Sequence, residues 1–174
     1  MRLRALSLAT LAVFALATLG PASALADDTP EQARDAFVHD QRNLMTVLGV
    51  YSLSSMAVGG AMLASSQPEV RAAGVQNLAW GAIDGAIALI ALVGVDKMSR
   101  EDRSAAYWAD QRSTTRTVFA VNAGLDVLYI TTGALLLALG KTDFVRGTGG
   151  GVLAQGGFLF AFDTSAAFVM AKRR

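Results

Sequence analysis

Long apolar segments alternate with short charged segments along most of the chain. The apolar segments lie at about 43–65, 75–95, 118–140 and 151–171. Each has about 21 residues, which at about 1.5 Å per residue is enough for an α-helix to cross a hydrocarbon core of about 30 Å. A soluble bundle helix would carry a polar stripe with a period of 3.6 residues, and segment 75–95 has none after Asp84. The pattern predicts an all-α, four-helix transmembrane bundle.

The N-terminal stretch 1–26 has the pattern of an export signal. Arg2 and Arg4 precede an apolar stretch at 5–20, and Ala24-Leu25-Ala26 fits the small-x-small rule for cleavage. We therefore predict a signal peptide at 1–26 and a mature, single-domain chain at 27–174. The alternative is an uncleaved anchor helix over about 5–26.

The charged connections contain signals for helix starts and turns. Thr29-Pro30-Glu31-Gln32 predicts a helix start, with an N-cap, a proline in the first position and a capping box. Ser99-Arg100-Glu101-Asp102 predicts a second start. Turns are predicted at 66–74 and 141–150, and the glycine-rich run 147–151 lacks the Lys-Ser/Thr pair of a phosphate-binding loop.

Small residues recur at every fourth position in three of the apolar segments, as they do in helices that pack closely in lipid. They are Gly81 and Gly85; Ala57, Ala61 and Ser65; and Gly157, Ala161 and Ser165. We predict that these faces pack against helices of the same chain, of a second copy in a homo-oligomer, or of another membrane protein. A plain alanine-rich composition is the alternative.

The two halves of the chain resemble each other. When the second apolar segment is laid over the fourth, Gln76 falls on Gln155 and Asp84 on Asp163, and the same offset places Asn43 on Asn122. A slightly smaller offset aligns the charged stretches 36–42 and 106–112. We predict two repeated helical hairpins of the same orientation, related by a pseudo-two-fold axis along the membrane normal. Chance similarity between apolar helices is the alternative.

These motifs also resemble a known group of proteins. The pattern Q-x-x-x-W-G-x-x-D from Gln76 to Asp84, together with Q-G-x-F-L-x-x-F-D from Gln155 to Asp163, resembles small bacterial membrane proteins of unknown function. The resemblance covers about 36–171. It implies a four-helix membrane protein and carries no function with it.

Polar side chains lie inside the apolar segments. Asp84 and Asp163 are near the middle of theirs, where an ionised carboxylate costs about 2.5–3.5 kcal/mol on insertion scales. No Lys, Arg or His lies within any of the four segments. We predict that these two acids form a coupled pair at similar depth, with at least one proton held near neutral pH. The intramembrane polar candidates are Asp84, Asp163, Asp126, Gln76, Gln155, Asn122 and Tyr129.

Two functional interpretations stay open. The first is a non-enzymatic membrane component, a scaffold or assembly partner whose acids hydrogen-bond neighbouring helices. The second is a proton- or ion-linked small carrier that uses the intramembrane acids. We predict no enzyme, because no nucleophile–base pair has usable spacing. His39 is the only histidine and cysteine is absent, so we predict no metal site and no cofactor. A net charge of +1 gives no reason to expect a nucleic-acid partner.

Two signals of membrane topology conflict. The export signal predicts a multi-pass protein of a bacterial inner membrane with an exported N-terminus. That topology leaves most of the Lys and Arg side chains outside and only Arg71, Lys141 and Arg146 inside. The positive-inside rule favours the reverse. We predict the exported N-terminus.

Overall fold

Four long α-helices make up most of the chain in the computed structural model, which describes residues 28–172. They are α1 (Pro30–Leu63), α2 (Pro68–Met98), α3 (Ala105–Leu139) and α4 (Asp143–Ala171). All four are long and apolar enough to cross a membrane. This confirms the predicted all-α fold with four candidate membrane-spanning helices. The predicted signal peptide at 1–26 lies outside the described residues.

The start of α1 has the predicted cap. Thr29 Oγ1 accepts a hydrogen bond from the Gln32 amide at 3.3 Å, and Gln32 Oε1 accepts one from the Thr29 amide at 3.0 Å. Pro30 occupies the first turn, where its missing N–H leaves no helical bond unmade. The capping box therefore fixes where α1 begins.

The predicted helix start at 99–102 is wrong. α2 continues to Met98, and the Ser99 amide donates to the Val95 carbonyl at 3.0 Å, so Ser99 ends that helix. Ser104 caps α3 instead, because its hydroxyl accepts from the Tyr107 amide at 3.3 Å.

The predicted turns at 66–74 and 141–150 are also wrong over most of their length, because α2 begins at Pro68 and α4 at Asp143. Thr142 caps α4 by accepting from the Val145 amide at 3.2 Å, and the glycine-rich run lies within the helix. A Cβ at Gly147 would collide with the backbone of Glu69 in α2, and one at Gly149 with the backbone of α3. Each glycine costs about 1 kcal/mol of helix propensity relative to alanine, and close packing against two helices offsets that cost.

The order of helices around the bundle is α1, α2, α4, α3, and the diagonal pairs α1/α4 and α2/α3 make few contacts. A two-fold axis along the bundle would place the equivalent helices, α1 with α3 and α2 with α4, on the diagonals. They are neighbours instead, so the predicted pseudo-two-fold axis is wrong. The glycines of α4 are the physical reason, since they let the parallel helices α2 and α4 approach closely.

The parallel helices α2 and α4 lie side by side with an offset of about one helical turn relative to the alignment of their sequences. A Cβ at Gly151 of α4 would meet the Gln76 side chain of α2, so these two positions lie at similar depth. The sequence alignment instead pairs Gln76 with Gln155, which lies one helical turn further along α4. Asp84 and Asp163, which the same alignment pairs, therefore differ in depth along the bundle by about 6 Å.

The two ends of the bundle differ in composition. We call the end where α1 and α3 begin the head end, and the end with the connections 64–67 and 140–142 the turn end. Most of the buried apolar core lies toward the head end. It includes Phe37, Met45, Leu48, Trp108, Phe119, Ala166 and Met170. In the turn-end half, glycines and polar side chains occupy the helix contacts.

Large apolar side chains cover the outside of all four helices. Examples are Leu53 at 69% exposure, Ile90 at 72%, Leu128 at 61% and Phe168 at 60%. Soluble monomers rarely expose contiguous apolar patches of such extent. The exterior is therefore compatible with a multi-pass protein in contact with lipid.

Candidate functional site

Three carboxyl groups from three helices meet inside the bundle. Asp84 of α2, Asp126 of α3 and Asp163 of α4 are 3%, 3% and 6% exposed. The Asp126 and Asp163 side chains are within hydrogen-bonding distance, and Asp84 interacts electrostatically with both. We call these three residues the acid cluster.

The acid cluster has little to compensate its charge. The sequence carries no Lys, Arg or His at 43–70, 72–96, 117–140 or 147–171. Within residues 28–172, Oδ2 of Asp84 and Oδ2 of Asp126 are buried without a hydrogen-bond partner. Because an ionised carboxylate can only accept, a hydrogen bond between Asp126 and Asp163 requires a proton on one of them. The cluster therefore holds at least one proton whenever that bond is formed.

The predicted pair, Asp84 and Asp163, does lie inside the bundle, but the direct partner of Asp163 is Asp126. The antiparallel helices α3 and α4 approach closely at Gly133 and Gly156, where a Cβ would come within 3.0 Å of backbone atoms of the other helix. This close packing brings Asp126 to Asp163, whereas Asp84 approaches from the opposite neighbour, α2.

A network of hydrogen bonds surrounds the Gln155 side chain, which is 1% exposed. Gln155 Nε2 donates to Ser55 Oγ at 2.6 Å and to Asn77 Oδ1 at 2.9 Å. The Tyr51 hydroxyl donates to Gln155 Oε1 at 2.6 Å. Ser55 Oγ donates in turn to the Asn77 carbonyl at 3.0 Å. We call Tyr51, Ser55, Asn77 and Gln155 the amide network, and it joins α1, α2 and α4.

The amide network lies on the turn-end side of the acid cluster. Gln155 lies about 12 Å before Asp163 along α4, given the rise per residue of a helix. Tyr51 connects the two groups, because its hydroxyl bonds to Gln155 and interacts electrostatically with Asp84. Its ring is held by stacking on Phe158, with the ring centroids 3.3 Å apart. The polar side chains therefore form one file along the bundle interior.

The other predicted polar residues lie outside this file. Gln76 is half-buried and packs against Gly151, whereas its neighbour Asn77 bonds to Gln155. Successive side chains on a helix point about 100° apart, so Gln76 faces α4 while Asn77 also reaches α1. Asn122 is half-buried, one turn toward the head end from Asp126. Tyr129 is 39% exposed and packs edge-on against Trp80, with centroids 5.3 Å apart.

The three predicted packing glycines have different surroundings. A Cβ at Gly81 would meet Met56 at 2.7 Å and the Ser52 carbonyl at 2.9 Å, and one at Gly85 would meet Ser52 Oγ at 2.5 Å. Both therefore pack against α1. A Cβ at Gly157 would meet nothing within 4 Å among the described residues. Gly157 therefore faces outward, away from the other helices of the described bundle.

Sequence reasoning missed a buried ion pair near the head end. Arg112 of α3 pairs with Asp40 of α1 at 3.0 Å, and their side chains are 15% and 2% exposed. Arg112 also donates to the Val169 carbonyl of α4 at 3.5 Å. The alignment of 36–42 with 106–112 was a signal for this contact, since equivalent stretches of parallel neighbours lie side by side. Tyr51, Ser55 and Asn77 gave no comparable signal.

Other sites for a bound group are limited in the part of the chain that is described. Across residues 28–172, no group of three or more His, Cys, Asp or Glu is arranged to hold a metal ion. A crevice reaches Gln155 between α2, α3 and α4 and is too narrow to enclose a water molecule. Its lining consists of Trp80, Tyr129, Val152, Gln155, Gly156 and Leu159.

The fold and the polar interior define a class: an all-α protein of four apolar helices, compatible with a multi-pass membrane protein. Comparison with known families gives one match, and it assigns no function. Residues 47–164 match the model of a family of unknown function, DUF6992, and the chain belongs to that family. The match contains the whole acid cluster and the whole amide network. No curated protein and no solved structure matches the chain.

Proposed function

We propose that this chain is a non-enzymatic membrane protein that binds and releases protons at the acid cluster, as part of a proton-linked carrier. The observation that supports this most strongly is the convergence of Asp84, Asp126 and Asp163 from three helices, all buried. Of the two functions considered from the sequence, the carrier accounts for this convergence better. In a scaffold the acids would only hydrogen-bond neighbouring helices, and that role does not require three of them to meet.

Binding protons at the acid cluster costs less free energy than holding three permanent charges there. Each ionised carboxylate at the centre of a membrane helix costs about 2.5–3.5 kcal/mol, so three would cost about 8–10 kcal/mol. That is comparable to the whole stability of a typical domain, about 5–15 kcal/mol. Protons remove this cost, and like charges held close together favour binding them one at a time. The cluster is thus suited to exchange protons rather than to stay charged.

Infrared titration of the purified protein in lipid nanodiscs tests the proposal. We expect a band from protonated carboxyl groups at neutral pH that is lost as the pH rises. Labelling aspartate with ¹³C should shift this band, and Asp126→Asn or Asp163→Asn should reduce it. Asp110→Asn is the control, because Asp110 is exposed near the head end and should not contribute.

Two results would contradict the proposal. One is the absence of a protonated carboxyl band under all conditions in which exposed acids are ionised. The other is a band that persists unchanged in both Asp126→Asn and Asp163→Asn.

A second candidate function, the scaffold, has one observation in its favour. Gly157, Ala161 and Ser165 occupy every fourth position on α4, and all three are exposed. Small residues at this spacing allow close helix contact in lipid, so a second copy or another membrane protein would fit this face. Cysteine cross-linking at Ala161 in membranes tests it. A cross-linked dimer from Ala161→Cys, but not from Leu128→Cys, supports a homo-oligomer.

We also propose that the protein resides in a bacterial inner membrane with its N-terminus exported. The sequence support is the apparent signal at 1–26, and the opposing observation is the distribution of Lys and Arg. Reporter fusions after residue 174 test the orientation. A reporter that is active only outside the cytoplasm should function there, and activity of a cytoplasm-only reporter would reverse the proposed topology.

A further inference from the structure

The bundle interior is different on the two sides of the acid cluster. Toward the head end, buried apolar side chains from all four helices fill the space. We call them the apolar plug: Met45, Leu48, Ala88, Phe119 and Ala166. The Phe119 ring also meets the ring of Phe162, which precedes Asp163 on α4, edge to face with the centroids 6.0 Å apart. This packed layer separates the acid cluster from the Asp40–Arg112 ion pair.

Toward the turn end, the interior offers hydrogen-bonding groups instead. Tyr51 is the first, and its hydroxyl bonds to Gln155, which bonds to Ser55 and Asn77. Asn77 Nδ2 then donates to the Ala73 carbonyl at 3.0 Å, one further turn along α2. This hydrogen-bonded network thus extends from the level of Asp84 toward the turn end, and Asn122 and Thr164 on the head-end side of the cluster are not part of it.

We propose that the acid cluster exchanges protons with the turn end of the bundle through the amide network, while the apolar plug closes the head end. This inference rests on the proposed proton-binding function and adds the side from which protons arrive. The titratable groups that face the cluster come from every helix: Tyr51, Asp84, Asp126 and Asp163. Toward the head end, the ion pair of Asp40 and Arg112 lies beyond the plug.

The chemistry of exchange needs only water. A water molecule that enters from the turn end finds donors and acceptors along the amide network, which lowers the cost of leaving bulk solvent. A hydronium ion there transfers its proton to a carboxylate oxygen of Asp84 and leaves as water. Release is the reverse step. Among the described residues no polar file of this kind crosses the apolar plug, so entry from the head end would require water to pass through packed side chains.

Cysteine accessibility tests this route, and the absence of native cysteine leaves no background. Ser55 and Met45 lie on the same helix and are 5% and 4% exposed, on opposite sides of Tyr51. A charged, membrane-impermeant thiol reagent is added to spheroplasts and to inverted membrane vesicles, which present opposite faces. The surface variants Ser66→Cys and Asp102→Cys report which preparation exposes the turn end and which the head end.

We expect Ser55→Cys to react about tenfold faster than Met45→Cys, because only a hydrated thiol ionises and attacks the reagent readily. It should react in the preparation that labels Ser66→Cys and not in the one that labels Asp102→Cys. If Ser55→Cys does not fold, Asn77→Cys replaces it on α2, with Ala88→Cys in the plug as its partner.

Three outcomes would overturn the route: equal labelling of the two members of a pair, labelling of the network cysteine from the head end, or no labelling of it from either side. The infrared titration measures proton binding at the acid cluster, whichever end of the bundle the protons come from. If that titration fails, the proton site itself is wrong. If it succeeds and the labelling fails, only the direction of entry is wrong.

Discussion

The amide network makes a quantitative prediction about two glutamines that the sequence treats as equivalent. Gln155→Leu removes three hydrogen bonds, from Tyr51 and to Ser55 and Asn77. Side-chain hydrogen bonds between membrane helices contribute about 0.6 kcal/mol each on average. We therefore expect the free energy of unfolding to fall by about 2 kcal/mol, because leucine fills the space but bonds to none of the three partners.

Gln76→Leu is the matched control. The alignment of the two halves places Gln76 at the position equivalent to Gln155. Each substitution removes one side-chain amide, from α2 in one case and from α4 in the other. Gln76 is half-buried and lies beside Gly151, outside the amide network. Its replacement should change the free energy of unfolding by less than about 0.5 kcal/mol, the usual range for a side chain without such a role.

Reversible unfolding in mixed detergent micelles, followed by circular dichroism and Trp fluorescence, measures both values. A loss of stability in Gln76→Leu as large as that in Gln155→Leu would contradict the assigned role of the amide network. An unchanged free energy of unfolding in Gln155→Leu would contradict it as well, because the three hydrogen bonds would then make no net contribution to stability.

Three further predictions concern packing, charge and the membrane. Gly147→Ala should lower the free energy of unfolding by about 1–3 kcal/mol through overpacking against Glu69. Gly157→Ala should instead raise it by up to about 1 kcal/mol, because the added Cβ meets no neighbour and alanine favours the helix; the same unfolding assay compares the two. Asp40→Asn should destabilise by about 3–5 kcal/mol because it leaves Arg112 buried without its charge partner, whereas Asp35→Asn, in an exposed pair, should have little effect. After an alkaline carbonate wash the protein should stay in the membrane fraction, and its release would contradict membrane insertion.

Much of the fold could be predicted because it depends on local patterns. An apolar segment of about 21 residues has few alternatives to a membrane-spanning helix, since each backbone group must be paired within the segment. The cap at Thr29 was predictable because it is also local: the Thr29 hydroxyl accepts a hydrogen bond from the Gln32 amide, within one turn of the helix. The acids were identifiable as unusual because their cost in an apolar helix depends on depth, which the sequence indicates.

What the sequence left undetermined depends on contacts between helices. The glycine run 147–151 is typical of a turn, and only its closeness to α2 and α3 shows why glycine is required inside a helix. The similarity of the two halves suggested a two-fold axis, yet the equivalent helices pack as parallel neighbours.

The same limit applies to the site. Sequence alone determined that Asp84, Asp126 and Asp163 lie within apolar helices, because chain position sets the approximate depth of each. Only the tertiary structure decided that Asp126, rather than Asp84, lies within hydrogen-bonding distance of Asp163, and that Asn77, rather than Gln76, bonds to Gln155. Those choices depend on the rotation of each helix about its axis. That rotation is set by which faces pack together, and the sequence of one helix does not determine which face of the next helix packs against it.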